Sequence, residues 1–267
     1  MSDQPDEPID VLLVTVREQY YIPKFLQGML DADHIRIVGL TTVPPTLGTK
    51  SMPAFLWDFF TRFGPSVFAQ HVWFYGKYRL LDTINRITGR GTPYSPRTLA
   101  KRHDLEYRHT EDVNSDEYMA YAESLSPDVL VSVAATQKFD NQLLNIPSEC
   151  AINIHSSLLP EYKGVSPSFW TLLHNEAQTG ITVHYMTEEL DAGAILRQQP
   201  LDIHDDDTLH TLNRRVAVNG SNLLVGALED IQTGAVNSTP MPDDGSYYSM
   251  PERDDVRQFV EQGNRFF

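Results

Sequence analysis

The sequence predicts an α/β protein with a doubly wound, mostly parallel sheet. Short, continuous apolar runs rich in β-branched residues, such as Val11–Val16, are typical of strands that are covered on both faces. A helical pattern separates the first two runs, so strand, helix and strand follow one another in a βαβ unit. Sheets of this class bind ligands at the carboxyl ends of their strands. We therefore expect the function on the loops after Val16, Ala134, His155 and Met186.

The first half of the chain alternates between predicted strands and helices. Pro23 opens a pattern in which Phe25, Leu26 and Leu30 share one helical face. A pair of prolines ends the second strand, because proline cannot donate a backbone hydrogen bond. The predicted order is a strand at Val11–Val16, a helix from Pro23, a strand at Ile35–Thr42, a helix at Ser95–His103, a strand at Leu105–His109 and a helix from Asn114 or Ser115 to about Leu125.

The second half continues the alternation and ends with helices. Ser166 and Pro167 take the N-cap and first-turn positions of a helix. The predicted order is strands at Asp128–Ala134 and Ala151–His155, a helix to Asn175, strands at Gly180–Met186 and Ala194–Ile203, a long helix over 207–231 and an amphipathic stretch at Glu252–Val260. We expect residues 1–203 to form the main domain, and residues 204–267 to form a short helical extension that packs on it.

The segment Phe55–Tyr78 differs in texture from the rest of the chain, because ten of its 24 residues are Phe, Tyr or Trp. One interpretation is a pair of helices that pack their aromatic rings against the sheet. The other is a binding wall for an acceptor substrate or a partner subunit, since Trp and Tyr favour interfaces. We predict that this segment, together with the Arg17–Tyr21 loop, borders an acceptor pocket or a homodimer contact.

The composition excludes several classes of protein. The 267 residues carry a net charge of −15, which argues against a nucleic-acid groove. Cys150 is the one cysteine, so a disulfide framework or a multi-cysteine metal site is excluded. No apolar run approaches the ~18 residues of a membrane span, and the acidic N-terminal segment is unlike a leader peptide. We therefore expect a cytoplasmic protein without a membrane partner.

Two further patterns bear on environment and on cofactors. The 22 Asp residues against 6 Lys residues suit a high-salt cytosol, where salt screens the repulsion between carboxylates, although an ordinary acidic enzyme fits the same numbers. The loop after Val16 reads REQYYIP and lacks the glycines that let a backbone wrap a pyrophosphate. A dinucleotide-binding or P-loop site is therefore disfavoured.

The strand Ala151–His155 and the loop after it carry the most chemistry. Asn153 and His155 are two positions apart on a strand, so both side chains project to the same face. An amide and an imidazole side by side suit the stabilisation of a developing oxyanion. Asp191 lies at a turn before a later strand, where its carboxylate is placed to orient His155 and to raise the pKa of its imidazole. His184 is interpreted as a packing or supporting residue.

Two separated stretches, NIHSSLLPEYKG from Asn153 and TGITVHYMTEELDAGAIL from Thr179, resemble the formyltransferase family. Its members pair an Asn-x-His strand and an SLLP loop with a downstream Asp-x-Gly. The resemblance covers about residues 128–203. It implies a Rossmann-like catalytic domain, corresponding to residues 1–203, and transfer of a formyl group from 10-formyltetrahydrofolate to an amine without a metal ion.

The resemblance also assigns roles to individual residues. Asn153, His155 and Asp191 occupy the catalytic positions of the family. The folate-contacting positions correspond to two segments, one with Ser157, Leu158, Leu159 and Pro160, and one with Gln137, Lys138 and Phe139. Gln137 and Lys138 are more polar than the residues that the family usually carries there.

The acceptor is the least determined part of the expected reaction. Tyr162-Lys163-Gly164 resembles the corresponding stretch of the family's sugar enzymes more than that of its purine enzymes. The family's transfer-RNA enzymes carry an extra C-terminal barrel, whereas only 64 residues follow Ile203 here. We therefore expect a nucleotide-linked amino sugar as acceptor. Glycinamide ribonucleotide and methionyl-tRNA are the alternatives within the family, and a non-catalytic folate- or sugar-binding module is the alternative outside enzymes.

Overall fold

A computed structural model describes residues 7–45 and 51–267. Its strands are β1 (Ile9–Val16), β2 (Ile35–Val43), β3 (Tyr107–His109), β4 (Val129–Val133), β5 (Cys150–His155), β6 (Lys163–Gly164), β7 (Gln178–Tyr185), β8 (Ile195–Asp202) and β9 (Tyr247–Tyr248). Seven of them form one sheet in the order β3-β2-β1-β4-β5-β7-β8, and β6 pairs with β9 separately.

The sheet is parallel from β3 to β5 and antiparallel beyond it. The chain leaves β1 towards β2 and β3, and later continues on the other side of β1 with β4 and β5. This reversal is the topological switch point of a doubly wound sheet, so the predicted fold class is confirmed. Because β7 runs antiparallel to β5, it ends at Tyr185 opposite Ile152, and the following segment must fold back to reach the carboxyl end of β5.

The helices of the described residues connect these strands. They are α1 (Tyr21–Leu30), α2 (Met52–Thr88), α3 (Pro96–Arg102), α4 (Asp116–Leu125), α5 (Asn141–Leu144), α6 (Pro167–Leu173), α7 (Leu209–Thr233) and α8 (Arg253–Glu261). Three have N-caps whose side chains accept a backbone N–H, namely Ser95, Ser115 and Thr208. Most predicted elements are confirmed with ends shifted by one to three residues. For example, α1 begins at Tyr21 rather than at Pro23.

The core has one layer on each face of the sheet. Successive residues of β1 alternate between the two layers, as expected for a strand. Leu13 packs with residues of α1 and α7, including Leu26 and Leu228. Leu12 packs on the opposite face with Tyr118 of α4. Because α7 follows residue 203 and shares the core of the strands before it, the extension packs closely on the sheet. The boundary at residue 203 itself stays a prediction.

The aromatic segment lies within α2, and the non-helical backbone of Gly64 divides α2 into two helices, so the predicted pair is confirmed. Gly64 interrupts α2 with a φ of 75°, and Pro65 follows it, so the helix turns at this point. Val67 is the one fully buried hydrophobic residue in the described part of α2. No helix among the described residues is long and apolar enough to cross a membrane.

Candidate active site

Asn153 and His155 lie at the carboxyl end of β5, where both line one cavity of about 750 Å³. Their neighbours in the cavity wall include the end of β4 and the segment that follows β7. The alternation of side chains along a strand puts the two residues on the same face, as predicted. Three of the four expected loops, those after Ala134, His155 and Met186, meet at this cavity, and Tyr21 next to the fourth loop also lines it.

The His155 ring is buried between two acceptors. Its Nε2 lies 2.8 Å from the Tyr162 carbonyl oxygen, which fixes a donated proton on that nitrogen. Its Nδ1 lies 3.6 Å from Asp191 Oδ1. Burial lowers the pKa of His155, and this effect exceeds the raising effects of Asp191 and of the Tyr162 carbonyl. The predicted raising effect of Asp191 on the pKa of His155 is therefore present, but burial is the larger effect and the net shift is downward.

Asp191 is held by groups from two different segments. Its Oδ2 accepts the Gly164 backbone N–H at 2.9 Å, and its Oδ1 lies 3.6 Å from the ring nitrogens of both His155 and His184. Burial raises the pKa of Asp191, but the contact with His184, the nearby His155 and the Gly164 N–H together lower it to about 2. Asp191 is therefore a carboxylate at neutral pH.

The glycine of the Asp-Ala-Gly turn allows the segment after β7 to fold back. A Cβ at Gly193 would lie 2.0 Å from the Tyr185 carbonyl oxygen, so only glycine fits this close backbone approach. Asp191 itself takes a left-handed conformation with a φ of 52°. These two features carry the carboxylate back over the end of β7 to His155.

Of the two roles expected for His184, packing or support of the site, the contacts show the supporting one. His184 is buried and pairs across the strands with Asn153. Its Nδ1 donates to the Tyr185 carbonyl at 2.8 Å, so its Nε2 accepts the Asn153 amide at 3.2 Å. His184 thereby fixes which end of the Asn153 side chain is the amide nitrogen. The signal in the sequence is the alternation in GITVHYM, which places His184 on the opposite face from Ile181 and Val183.

The segment after β4 forms another wall of the cavity and includes Gln137, Lys138 and Phe139. The Gln137 side chain accepts the Val113 N–H at 2.9 Å and donates to the Glu111 carbonyl at 2.7 Å, so its polar atoms are engaged with the neighbouring loop. Phe139 is buried. Within the described residues, the peptide groups of 135–137 make no backbone–backbone hydrogen bond.

The SLLP loop lies behind the site and outside the cavity wall. The buried Ser157 hydroxyl donates to the Glu161 carbonyl at 2.7 Å. Leu158 packs against Gly180, and the Leu159 N–H donates to Thr182 Oγ1 at 3.1 Å. The Leu159–Pro160 peptide bond is cis. Direct contact of Ser157, Leu158, Leu159 and Pro160 with a folate stays a prediction, and the contacts described here connect the loop to β7.

The tail that follows α7 braces the site from outside. Ser246 accepts the Lys163 N–H through its carbonyl at 2.8 Å and the Tyr162 N–H through its hydroxyl at 2.9 Å. Thr239 and Ile195 exchange two backbone hydrogen bonds of 2.8 Å. The tail thus fixes both the carbonyl that bonds His155 and the strand that follows Asp191.

The first turns of α2 close the remaining side of the cavity, through Phe55, Asp58, Phe59 and Arg62. Arg62 bonds Asp58 at 3.1 Å and Glu252 at 2.6 Å, which holds this wall in place. The first part of the aromatic segment thus borders the cavity, and its predicted role at an acceptor pocket or a homodimer contact stays a prediction. Trp73, farther along the same helix, lies outside the cavity wall and is 76% exposed.

The fold and the site define a class of protein: a doubly wound α/β protein with a buried Asn–His–Asp group at the ends of its strands. The chain belongs to the formyltransferase family, because its residues 82–228 match the family model, described as formyl transferase. The predicted family is confirmed.

Relatives by sequence and by structure agree with this membership. The chain is 34% identical over 168 residues to a methionyl-tRNA formyltransferase of Halothermothrix orenii, covering 62% of this chain and 53% of that protein. It is 36% identical over 168 residues to the corresponding protein of Halorhodospira halophila, covering 62% and 54%. The chain thus spans about half the length of the curated relatives it matches.

Two solved structures show the same fold over most of the chain. A sugar N-formyltransferase from Shewanella sp. FDAARGOS_354 has a TM-score of 0.57 at 19% identity, covering 91% of this chain and 77% of that one. Glycinamide ribonucleotide transformylase 1 from Symbiobacterium toebii has a TM-score of 0.59 at 16% identity, covering 90% and 100%.

Proposed function

We propose that this chain transfers a formyl group from 10-formyltetrahydrofolate to the amine of a small acceptor. The observation that carries the proposal is the grouping of Asn153, His155 and Asp191 against one cavity in a member of the formyltransferase family. The open peptide groups of 135–137 fit the polar edge of a pterin, and Phe139 and Ile22 supply apolar surface nearby. When bound, the donor supplies a formyl carbonyl that is activated by its attachment to nitrogen.

Asn153 stabilises the charge that develops during transfer. One N–H of its amide is used by His184 Nε2, which leaves the second N–H to donate to the formyl oxygen as that oxygen becomes negative. The His184 contact holds the amide nitrogen, rather than the amide oxygen, towards the reaction. A fixed donor costs no reorganisation when the charge appears.

His155 moves the proton that the reaction releases. Because its pKa is lowered, it is neutral at pH 7, with a proton on Nε2 and a lone pair on Nδ1. Nδ1 accepts the amine proton as the new C–N bond forms, and the imidazolium is then stabilised by the Tyr162 carbonyl and by Asp191. The proton passes to the donor nitrogen as its bond to the formyl carbon breaks.

A nucleotide-linked amino sugar is the acceptor we propose. The support is that Tyr162 to Gly164, the stretch that resembles the sugar enzymes, is built into the site through the His155 and Asp191 hydrogen bonds. The aromatic wall of Phe55 and Phe59 offers apolar surface to a sugar face. The relatives named as methionyl-tRNA formyltransferases favour transfer RNA as the second candidate acceptor.

An acceptor panel tests this proposal. Each reaction contains the purified protein, the formyl donor and one acceptor. The acceptors are uridine- and thymidine-linked amino sugars, glycinamide ribonucleotide and methionyl-tRNA. Release of tetrahydrofolate is followed. Turnover with an amino sugar at the highest kcat/KM is expected. Donor binding without turnover of any amine would identify a folate-binding module instead. Preferred turnover of methionyl-tRNA would contradict the proposal that the acceptor is an amino sugar.

A further inference from the structure

The second half of α2 exposes a row of large apolar side chains. Trp73, Leu80, Ile84 and Ile87 follow the spacing of one helical face, and Val72 lies beside them. Trp73 is 76% exposed and Ile87 is 78% exposed. We call these five residues the α2 stripe. Several large apolar side chains exposed together on one helix are unusual in a soluble protein and often mark an interaction site.

The same part of the chain carries an unusual density of positive charge. Seven of the 21 basic residues lie between positions 77 and 102, with Asp82 as the one acid of this interval. All seven are exposed, namely Lys77, Arg79, Arg86, Arg90, Arg97, Lys101 and Arg102. The remainder of the protein is strongly acidic. This region therefore has the opposite charge to the molecule around it.

The basic residues that follow α2 fold back onto its end. Asn85 donates to the Thr92 carbonyl at 2.6 Å, and Arg102 bonds the Gly91 carbonyl. Asp82 accepts hydrogen bonds from the Tyr94 N–H and the Thr98 hydroxyl, so its charge is turned towards the protein and away from the stripe. Lys77 falls within the row, between Trp73 and Leu80, and Arg79 and Arg86 lie to one side of it.

Charge decides between the two simplest partners. A second copy that packed its own stripe against this one would enclose two Lys77 ammonium groups in the contact, with no acid between positions 73 and 81 to pair with them. An anionic bilayer satisfies both features, because apolar side chains enter the acyl boundary while the cations reach the headgroups. We propose that the second half of α2 docks the protein on an anionic phospholipid surface. The proposal departs from the sequence-based expectation of no membrane partner, because the sequence does not show which side of α2 faces solvent.

Vesicle sedimentation tests the docking surface directly. The full chain is mixed with vesicles of phosphatidylglycerol and phosphatidylcholine, and separately with vesicles of phosphatidylcholine alone. Sedimentation with the anionic vesicles is expected, together with weaker binding when salt shortens the screening length from ~10 Å at 0.1 M to ~3 Å at 1 M. Equal binding to both vesicle types would overturn the proposal.

Three variants separate the contributions of the surface. R79S/R86S is expected to lower the affinity for anionic vesicles by roughly 25-fold, at about fivefold for each basic residue near the membrane. L80S/I84S is expected to lower it more than tenfold. V260S on α8 replaces another exposed apolar residue and should leave binding unchanged. Circular dichroism confirms that each variant is folded.

The oligomeric state supplies the opposing outcome. Light scattering with size-exclusion chromatography measures the mass of the wild type and of L80S/I84S without lipid. A stable dimer that L80S/I84S dissociates, with no vesicle binding by the wild type, would assign the stripe to a second copy. In a W57F background, Trp73 is exposed and the other tryptophan, Trp170, is buried. A blue shift of the emission on anionic vesicles supports insertion of Trp73, and an unchanged emission contradicts it.

Discussion

The segment from β5 to β8 and the helix α2 differ in how firmly their side chains are held by neighbouring groups. In the first region, Asn153, His155 and Asp191 are each held by hydrogen bonds or by close charged groups at stated distances. In α2, most side chains of the second half face outward, and the burial comes chiefly from Val67 and a few half-buried rings. A short sequence motif predicts the surroundings of a residue where the backbone fixes its neighbours. It does not predict which face of a helix stays exposed to solvent.

The largest expected effect comes from substitutions at the centre of the first region. His155→Ala removes the group that takes the amine proton, and Asp191→Asn removes the charge that stabilises the imidazolium. Each should lower kcat by on the order of 10²–10⁴, while donor affinity from equilibrium binding changes little. His204→Ala and Asp205→Asn, which change residues outside the cavity wall, are the matched controls. Near-normal turnover in both site variants would exclude the proposed mechanism.

Asp191 and Glu18 give the two regions opposite dependences of folding stability on pH. Asp191 has a pKa lowered to about 2, so its ionised form stabilises the fold above pH 4, and this stability is lost as pH falls towards 2. Glu18, which accepts the Tyr21 and Ile22 N–H groups beside the aromatic residues of α2, has a pKa raised to about 7 by burial. Its contribution is present at acid pH and is lost as pH rises through 7.

Denaturant unfolding across pH measures both effects. Glu18→Gln is expected to be more stable than the wild type by on the order of 3 kcal/mol at pH 9 and by little at pH 4. Asp191→Asn is expected to be less stable by on the order of 2 kcal/mol at pH 7, with the difference vanishing near pH 2. The same pH trend for both variants would show that the two environments do not differ as described.

A pair of glycine substitutions compares the two regions by packing. Gly193→Ala places a methyl group against the Tyr185 carbonyl and should cost roughly 1–3 kcal/mol of unfolding free energy. Gly76→Ala on α2 meets nothing within 4 Å and should add about 0.5–1 kcal/mol, because alanine is the better helix former. Thermal unfolding monitored by circular dichroism checks both signs. Destabilisation by Gly76→Ala would show that another chain covers α2.

The smallest expected effect concerns the wall that the two regions share. Phe59→Ala removes an aromatic ring from the cavity and should raise the acceptor KM about tenfold, the order of effect of one buried apolar contact. Phe60→Ala changes the next residue, which lies outside the cavity wall, and serves as control. Steady-state kinetics with the best acceptor of the panel measures both. Equal acceptor KM values for Phe59→Ala and Phe60→Ala would show that α2 does not contact the acceptor.

The sequence is sufficient to predict the local elements and the grouping of the motif residues. Strand boundaries follow from apolar runs, and Asn153 and His155 are two apart on a strand, which fixes their common face. The sign of the His155 pKa shift is not accessible, because it depends on burial by distant segments as much as on Asp191. The antiparallel direction of β7 likewise depends on tertiary structure, since local propensity does not determine strand direction.

The bracing of the site by the tail has a consequence for synthesis of the protein. Tyr162 and Gly164 hold the catalytic groups, yet Ser246, Tyr247 and Tyr248, which hold that stretch, are made more than 80 residues later. A ribosome that has released β5, β7 and the turn after β7 has therefore exported Asn153, His155 and Asp191 without the contacts of the tail. The site is therefore completed late in translation: a nascent chain halted just before Ser246 would contain the whole main sheet and α7, but not the contacts that fix the neighbours of His155 and Asp191.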